Sequence, residues 1–594
     1  MPFDGLVLAA IGHELKIKIM DGRIDRIYQP SPLEMNLIIH RPGERLRLLL
    51  SAHPEHARIH LTGQTRENPA SPPLFCMVLR KHLEGGRIRE IRQPGLDRVL
   101  ILKVQGRDEL GRLCIKELIC EIMGRHSNII LVDAGSKQII DAIKRYTHAV
   151  SRHREVLPGR EYIPPPEQHK LNPFTLDEEE FRRALLQESL DAPVQAVLHR
   201  RLDGVSPIMA REIVYRAGLE DGLVVDHCGE YELRVLWQAL QQIARPAARG
   251  EFHPTLILDR HGRPREFAAF ELTHLQSPGR KHGSMNQVAD LFYAAREEQS
   301  RMEQVRQSLL SAVRREMTRV GRKLALQEES LAEAQRAEEL KLYGELLTAN
   351  LWRLEKGARE VSLENFYDPA NRPVTIPLDP CLSPVENAQA YFKKYTRARN
   401  TAVEARTRAE QSKEELEYLT GVETALHQAA TMTEVAEIRQ ELEEQGYLPA
   451  LPAERPGKRE PEKPRPLTFT SSDGFTILVG RNNRQNDYLT TRLARDEDIW
   501  LHTRQIPGSH VIIRAGGREV PDTTLQEAAS LAAYFSRARE SQNVPVDYTL
   551  RKNVSKPRGA RPGYVIYTGQ RTINASPGEE LVEKLRSAHG HPEK

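Results

Sequence analysis

Between Arg551 and Arg571 the sequence RKNVSKPRGARPGYVIYTGQR holds Arg551, Lys552, Lys556, Arg558, Arg561 and Arg571 without a single acid, and Tyr564 and Tyr567 are set among them. Clustered cations neutralise phosphates and release counterions, and aromatic faces stack on unpaired bases, so these residues point to RNA. A solvated basic loop is the plain alternative. Just upstream, DEDIWLHTRQIPGSHVIIR places Trp500, His502 and His510 around a Pro-Gly turn. Two histidines with no acid–base partner beside them read as structural or RNA-facing, not as a metal or catalytic pair.

A second set of polar residues lies nearer the start. Asp97 and Arg98 precede the apolar run VLILKV, and Glu121-Ile122-Met123-Gly124-Arg125-His126-Ser127-Asn128 leads into another, NIILV. Arg98, Arg125 and His126 can meet phosphate or base edges, with Asp97 and Glu121 orienting them or accepting from exocyclic amines. Taken alone, each cluster is more often an ordinary turn-side ion pair than a site.

Several domains must position these groups, because 594 residues exceed what one core supports. Residues 1–172 alternate short Val, Ile and Leu runs with turns, as in MNLIIHRPG, RLRLLLSAHPE and DRVLILKVQGRDELG, and predict an α+β domain with a substantial sheet. Residues 173–245 change to short helical segments. Between two of these, Leu202-Asp203-Gly204-Val205-Ser206-Pro207 looks like the tight turn of a helix-hairpin-helix, whose backbone N–H groups and following helix suit a phosphate. A helical connector with a glycine turn is the other reading. Residues 246–287 read as a short β connector that returns to the first domain or leads into the next.

From 288 to 445 two apolar seams recur every three or four residues. Met302, Val305, Leu309, Val313, Met317, Val320 and Leu324 form the first; Tyr395, Ala398, Ala402, Ala405, Ala409, Ser412, Leu416 and Leu419 form the second. The Pro- and Asp-rich stretch between them cannot continue a helix, so the spacing predicts an antiparallel coiled-coil hairpin, with a dimerising coiled coil as the alternative. Residues 446–466, rich in Pro and charge, predict an extended linker. Residues 467–594 predict a final α+β domain, with strands in FTILVGRN, HVIIRAG and GYVIYTG and a helix in TLQEAASLAAYFSRARE.

Composition narrows the class. With 86 Lys and Arg against 82 Asp and Glu, local patches matter more than the net charge of +4. The five cysteines are scattered and show no CxxC spacing, which suits a reducing cytosol and no structural zinc. No run of about eighteen apolar residues occurs, and the start MPFDGLVLAAIGHEL is unlike a signal peptide. A cytoplasmic protein without membrane span, metal or cofactor is expected.

Together these clusters resemble the NFACT family. FDGL at Phe3 to Leu6, Asp97-Arg98, EIMGRHSNIIL at Glu121 to Leu131, and YDP, LDP and SPVENAQAYFKKY between Tyr367 and Tyr395 match its first and middle parts. DIWLHTRQIPGSHVIIR and KPRGARPGYVIY resemble its RNA-binding NFACT-R domain. The likeness runs over essentially the whole chain in the family's order, without departure at these positions. It implies a multidomain α+β architecture: a glycosylase-like NFACT-N domain, a helix-hairpin-helix, a long antiparallel coiled-coil hairpin and NFACT-R. It also implies ribosome-associated quality control: binding of rRNA in a large ribosomal subunit obstructed by peptidyl-tRNA, and recruitment of aminoacyl-tRNA, mainly alanyl-tRNA. The stalled chain then gains a template-free alanine tail that marks it for proteolysis. By the same resemblance Asp97, Arg98, Glu121, Ile122 and Met123 support tRNA binding. Such a protein is a positioning factor and not an enzyme, since orientation supplies much of the rate when the ribosomal centre aligns the reactants.

Two other functions are weighed. The first domain and the helix-hairpin-helix also resemble the architecture of formamidopyrimidine-DNA glycosylases, and Pro2 would stand at the place of their amine nucleophile. Phe3 and Asp4 follow it where those enzymes carry Glu, and their four-cysteine zinc finger is missing. A fibronectin-binding surface adhesin is suggested only by an old family label, and nothing in the sequence supports export or wall anchoring.

Overall fold

Asp4 opens the first helix: its Oδ1 accepts the N–H of Val7 at 2.8 Å and caps α1 (Gly5–Ile19), satisfying a donor that the helix itself leaves free. The computed structural model describes residues 3–108, 110–149, 153–335, 337–449 and 464–587, so Pro2 lies outside the described residues. The chain forms two units, Met1–Ser300 and Arg301–Lys594.

In the first unit nine strands make one antiparallel sheet. They are β1 (Arg23–Ser31), β2 (Glu34–Arg41), β3 (Glu44–Ser51), β4 (Arg58–Leu61), β5 (Arg87–Arg92), β6 (Val99–Arg107), β7 (Leu113–Glu121), β8 (Asn128–Asp133) and β9 (Ile139–Ala142), in the order β4-β3-β2-β1-β5-β6-β7-β8-β9. The run at β6 is apolar at nearly every position because both faces are covered. Leu100, Leu102 and Val104 enter the main core with α1 and α2 (Leu74–Leu83). Val99 and Ile101 enter a smaller core on the other face with Ile119, Ile130 and Val156, as the period of two requires.

Four helices follow: α3 (Glu178–Leu186), α4 (Val194–Arg201), α5 (Pro207–Arg216) and α6 (Glu230–Ala248). Ser206 caps α5, with Pro207 at its first position, where a missing N–H costs nothing. The connector builds a three-stranded sheet from β10 (Thr255–Leu258), β11 (Pro264–Ala268) and β12 (Gly279–His282). Its Leu256, Ile257 and Phe267 join the same core as α1, so the chain returns to its first domain. The long helix α7 (Met285–Gln335) starts here, with Met285, Val288, Ala289 and Phe292 in that core.

In the second unit α7 continues, followed by α8 (Ala337–Ala349), the hairpin β13 (Glu360–Glu364) and β14 (Pro373–Pro377), α9 (Pro384–Gln428) and α10 (Met432–Glu444). Leu309, Val313 and Val320 of α7 pack with Leu419, Val422 and Leu426 of α9 and with Ile438 of α10. The ion pairs Arg314–Glu423 at 2.7 Å, Arg319–Glu415 at 3.7 Å and Glu328–Lys413 at 2.9 Å ascend along α7 as they descend along α9, so these helices run antiparallel. Helix α9 starts well before the seam read from Tyr395. Ser383 caps it and Glu386 closes a capping box, with Pro384 at the first helical position. Proline there begins a helix instead of breaking one.

The last part carries β15 (Leu467–Thr470), β16 (Thr476–Val479), α11 (Asn483–Tyr488), β17 (Ile499–Thr503), β18 (Val511–Ile513), α12 (Asp522–Tyr534), β19 (Val544–Leu550), β20 (Val554–Ser555), β21 (Ile566–Tyr567), β22 (Arg571–Ala575) and α13 (Glu579–Ser587). Six of the strands form a sheet in the order β15-β16-β18-β17-β19-β22. One face packs on Ala528, Leu531 and Ala532 of α12, and the other carries Leu478, Trp500, Ile512 and Val554. Of the expected linker, residues 450–463 lie outside the described residues. No helix among the described residues is long and apolar enough to cross a membrane.

Candidate nucleic-acid interface

The two polar clusters of the first domain meet at one end of the sheet. Val99 pairs with Glu121 across β6 and β7, and the N–H of Ile122 donates to the carbonyl of Arg98 at 2.8 Å. The backbone just before Asp97 is fixed from three directions. Gln93 Nε2 donates to the carbonyls of Gly5 at 3.0 Å and Asp97 at 2.9 Å, and Asp203 Oδ2 accepts the N–H of Leu96 at 3.0 Å. A Cβ on Gly5 would stand 1.9 Å from the Leu96 carbonyl oxygen and 2.8 Å from Gly204 Cα, and Gly204 itself has φ +70° against the Leu96 side chain. The helix start, the Asp97 loop and the turn before α5 thus touch at one point. Sequence reasoning missed Gln93, Asp203 and Gly5 as positioning groups, because each acts through a contact far away in the chain.

Asp97 and Arg98 are half-buried at this point. Burial, and then the carboxylate of Asp203, raise the Asp97 pKa above its ordinary value, while Arg98 lowers it. Among the described residues the Arg98 guanidinium makes no hydrogen bond or ion pair, and its charge acts on the carboxylates of Asp4 and Asp97. Arg125 and His126 are exposed on the turn between β7 and β8, where Gly124 adopts φ +60° and Arg125 Nε donates to His126 Nε2 at 2.9 Å. Met123 is half-buried, its N–H held by Ser127 Oγ at 2.8 Å.

Glu121 and Ile122 sit differently from the sequence reading. Glu121 is 0% exposed. Its Oε1 and Oε2 accept from the two Nη atoms of Arg154 at 2.8 and 2.5 Å, and Tyr162 OH donates to Oε1 at 2.9 Å. A carboxylate already bound on both oxygens does not accept from a base amine, so Glu121 holds the end of the sheet from within. Ile122 lies in the main core and likewise acts through the turn that it anchors.

On the final domain the acid-free stretch finds its counter-charges in space. Lys556 pairs with Asp487, Arg551 Nε donates to the Thr490 carbonyl at 2.7 Å, and Arg561 bonds Tyr447 OH while lying 5.1 Å over the Tyr418 ring. Lys552 and Arg558 are exposed and carry no ion pair among the described residues. Trp500 and His510, expected to face RNA, are 0% and 2% exposed. His510 Nδ1 shares a hydrogen bond with Thr490 Oγ1 at 2.7 Å, and burial holds its pKa well below the usual value. His510 therefore sits inside the domain, tied to Thr490 and Asn486. His502 borders a cavity of about 520 Å³ with Arg558, Arg561 and Tyr564. Burial pushes its pKa down to about 4.

Glu441 on α10 is a further group that sequence patterning did not single out. Burial pushes its carboxyl from 4.5 up to about 7, although Asn483 Nδ2 and Tyr418 OH donate to Oε1 at 2.9 and 2.8 Å. Below 4.5 the carboxyl is protonated whether folded or unfolded. Between 4.5 and about 7 only the unfolded form ionises, so stability falls as pH rises through that window and stays at the lower level above it. Glu441→Gln is expected to flatten this part of the profile. Urea midpoints taken at about pH 5 and about pH 8 check it, and an unchanged difference between wild type and variant would refute the assignment.

The sequence family described as NFACT N-terminal and middle domains matches residues 4–461, and NFACT protein RNA binding domain matches residues 465–574. The chain belongs to the NFACT family. This NFACT chain is 42% identical over 588 residues to the Rqc2 homolog RqcH of Bacillus subtilis, covering 99% of the chain and 100% of that relative. It is 22% identical over 688 residues to Ribosome quality control complex subunit 2 of Schizosaccharomyces pombe, covering 96% of the chain and 66% of the relative. Among solved structures, the N-terminal part of the fibronectin/fibrinogen-binding protein from Streptococcus suis is similar at 33% identity with a TM-score of 0.41, covering 49% of this chain and 99% of that one. The basic loop thus lies in the NFACT RNA-binding domain, and the cavity beside it is walled by that loop and by α9 of the N-terminal and middle match. The full-length likeness favours neither the glycosylase nor the adhesin reading.

Proposed function

We propose that this NFACT protein serves ribosome-associated quality control in the cytoplasm. It holds a large ribosomal subunit obstructed by peptidyl-tRNA and presents an aminoacyl-tRNA, alanyl-tRNA, to the stalled chain. The alanine tail that results marks the chain for degradation. The supporting observation is the backbone pairing of Arg98 with Ile122 at one end of the first sheet, which sets the Asp97-Arg98 loop beside the strand end that leads into Arg125-His126, in a chain alike over its full length to RqcH. In this reading Arg98, Arg125 and His126 contact tRNA, Asp97 orients them, and Glu121, Ile122 and Met123 hold that surface in place. Lys552, Lys556, Arg558, Arg561 and His502 face rRNA, with Trp500 and His510 supporting the loop.

The six-part division at 172, 245, 287, 445 and 466 accompanies this reading. Helices α7 and α9 act as a coiled-coil hairpin, and the turn at 202–207 acts as a helix-hairpin-helix. Weak contacts on separate domains raise one another's effective concentration, so no single patch needs high affinity. The chain supplies position, and the ribosomal centre supplies the bond-forming chemistry.

Asp97→Ala with Arg98→Ala is expected to reduce recovered tRNA by about 10-fold or more, as loss of good base or phosphate contacts does, and to abolish alanine tails while large-subunit co-sedimentation persists. Tagged protein, RNA sequencing and mass spectrometry of copurified peptides check it. Tails of wild-type length in the variant would remove the assigned site.

A further inference from the structure

We infer that the cavity between α9 and the loop 556–567 accepts an unstacked nucleobase bearing an exocyclic amine, from single-stranded RNA. The inference rests on the RNA-binding reading of this domain and names what the domain grips.

The cavity measures about 520 Å³, within the range of about 300–1,000 Å³ for small-molecule pockets. Its walls differ in charge. On the loop side stand Arg558, free of ion pairs among the described residues, and Tyr564, whose side chain is 40% exposed. On the α9 side stand Glu414 and Glu417, both exposed and also without ion pairs among the described residues. A groove built only for phosphate would not keep two carboxylates free of ion pairs in the same wall set as Arg558 and Arg561, because they repel the anion. Carboxylates accept from exocyclic amines on bases, an exposed tyrosine ring offers a stacking face, and arginine holds the phosphate that follows. The three wall chemistries together fit one nucleotide.

The shape is set before any ligand arrives. Gly559 and Gly563 hold φ +80° and +81°, and a Cβ on Gly563 would come within 2.7 Å of Asn483 Oδ1. Gly563 N–H donates to Asp487 Oδ1 at 3.0 Å. Uracil lacks an exocyclic amine, so the arrangement discriminates against it.

Fluorescence anisotropy of the full chain with labelled hexa-adenylate and hexa-uridylate, at one fixed salt concentration, tests this. Hexa-adenylate is expected to bind about 10-fold more tightly, the worth of one good polar base contact. Tyr564→Ala is expected to weaken it by about 5- to 150-fold, the worth of one stacked base, and Tyr564→Phe to restore it. Glu417→Gln should shrink the adenine preference. Arg558→Ala should weaken both strands alike and lower the salt slope by about one. Equal binding of both strands, insensitive to Tyr564→Ala, would overturn the cavity as the site while leaving RNA binding by the domain intact. Adenosine monophosphate binding with the same variant effects, but no strand binding, would overturn RNA in favour of a free nucleotide. No binding of either strand, of a duplex RNA or of ribosomal subunits would instead overturn the RNA-binding reading itself.

Discussion

Gly5→Ala is expected to lower the unfolding free energy of the first unit by about 3 kcal/mol or more, and to take tRNA recovery with it. Overpacking of an ordinary core costs about 1–3 kcal/mol because side chains give way. Here the added carbon meets backbone, 1.9 Å from the Leu96 carbonyl oxygen and 2.8 Å from Gly204 Cα, and neither partner can rotate aside. Relief requires the Asp97 loop or the turn before α5 to shift, and either shift moves Asp97 and Arg98. Gly12→Ala in the same helix is the control, since its carbon would lie 3.4 Å from the flexible end of Leu100. Hydrogen exchange of peptides from α1 and β6 reports the change locally, which matters where a multidomain chain has no single unfolding transition. Wild-type protection in Gly5→Ala would show that the contact is not rigid.

The second large effect concerns the charge pair inside the sheet. Arg154→Met leaves the Glu121 carboxylate buried with only Tyr162 OH to answer it, and removal of one partner of a buried pair costs about 3–5 kcal/mol. Glu121→Leu strands the guanidinium in the same way. The double variant is expected to be more stable than either single one, because two apolar groups replace two charges that were costly to desolvate. Exchange protection in β7 and β8 measures all three. If the double variant loses as much as the sum of the singles, the pair contributes no mutual compensation. If it folds well yet recovers no tRNA, Glu121 does more than hold the strand.

Local periodicity made much of this architecture legible. Ala405, Ala409, Ser412 and Leu419, read from spacing alone as a seam, are the buried stripe of α9, because a helix writes its own period in neighbouring residues. The run at Val99 to Val104 likewise announced a strand. The place of β5 between β1 and β6 was not legible, since strand order depends on which distant partner closes the sheet. The same limit governed the sites. The basic stretch 551–571 has no acid within it, yet Lys556 meets Asp487 across 69 positions and Arg561 meets Tyr447 across 114. Trp500, His510 and Glu121 have side chains that serve equally well at a surface or in a core, so residue type left their burial open. Strand β19 begins VPV, and β22 reads RTINA; proline in one and alternating polar residues in the other hid both.

The contact of Gly5, Leu96 and Gly204 also sets a timetable for the newborn polypeptide. Residues 97 and 98 leave the exit tunnel long before the glycine that braces the segment ahead of them, and N-terminal parts of a chain begin to fold during synthesis. Until Gly204 emerges, the helix start and the loop lack their third wall, and Leu96 has no fixed seat. A prematurely ended copy of this protein therefore displays Asp97 and Arg98 without the braced loop that the finished chain gives them.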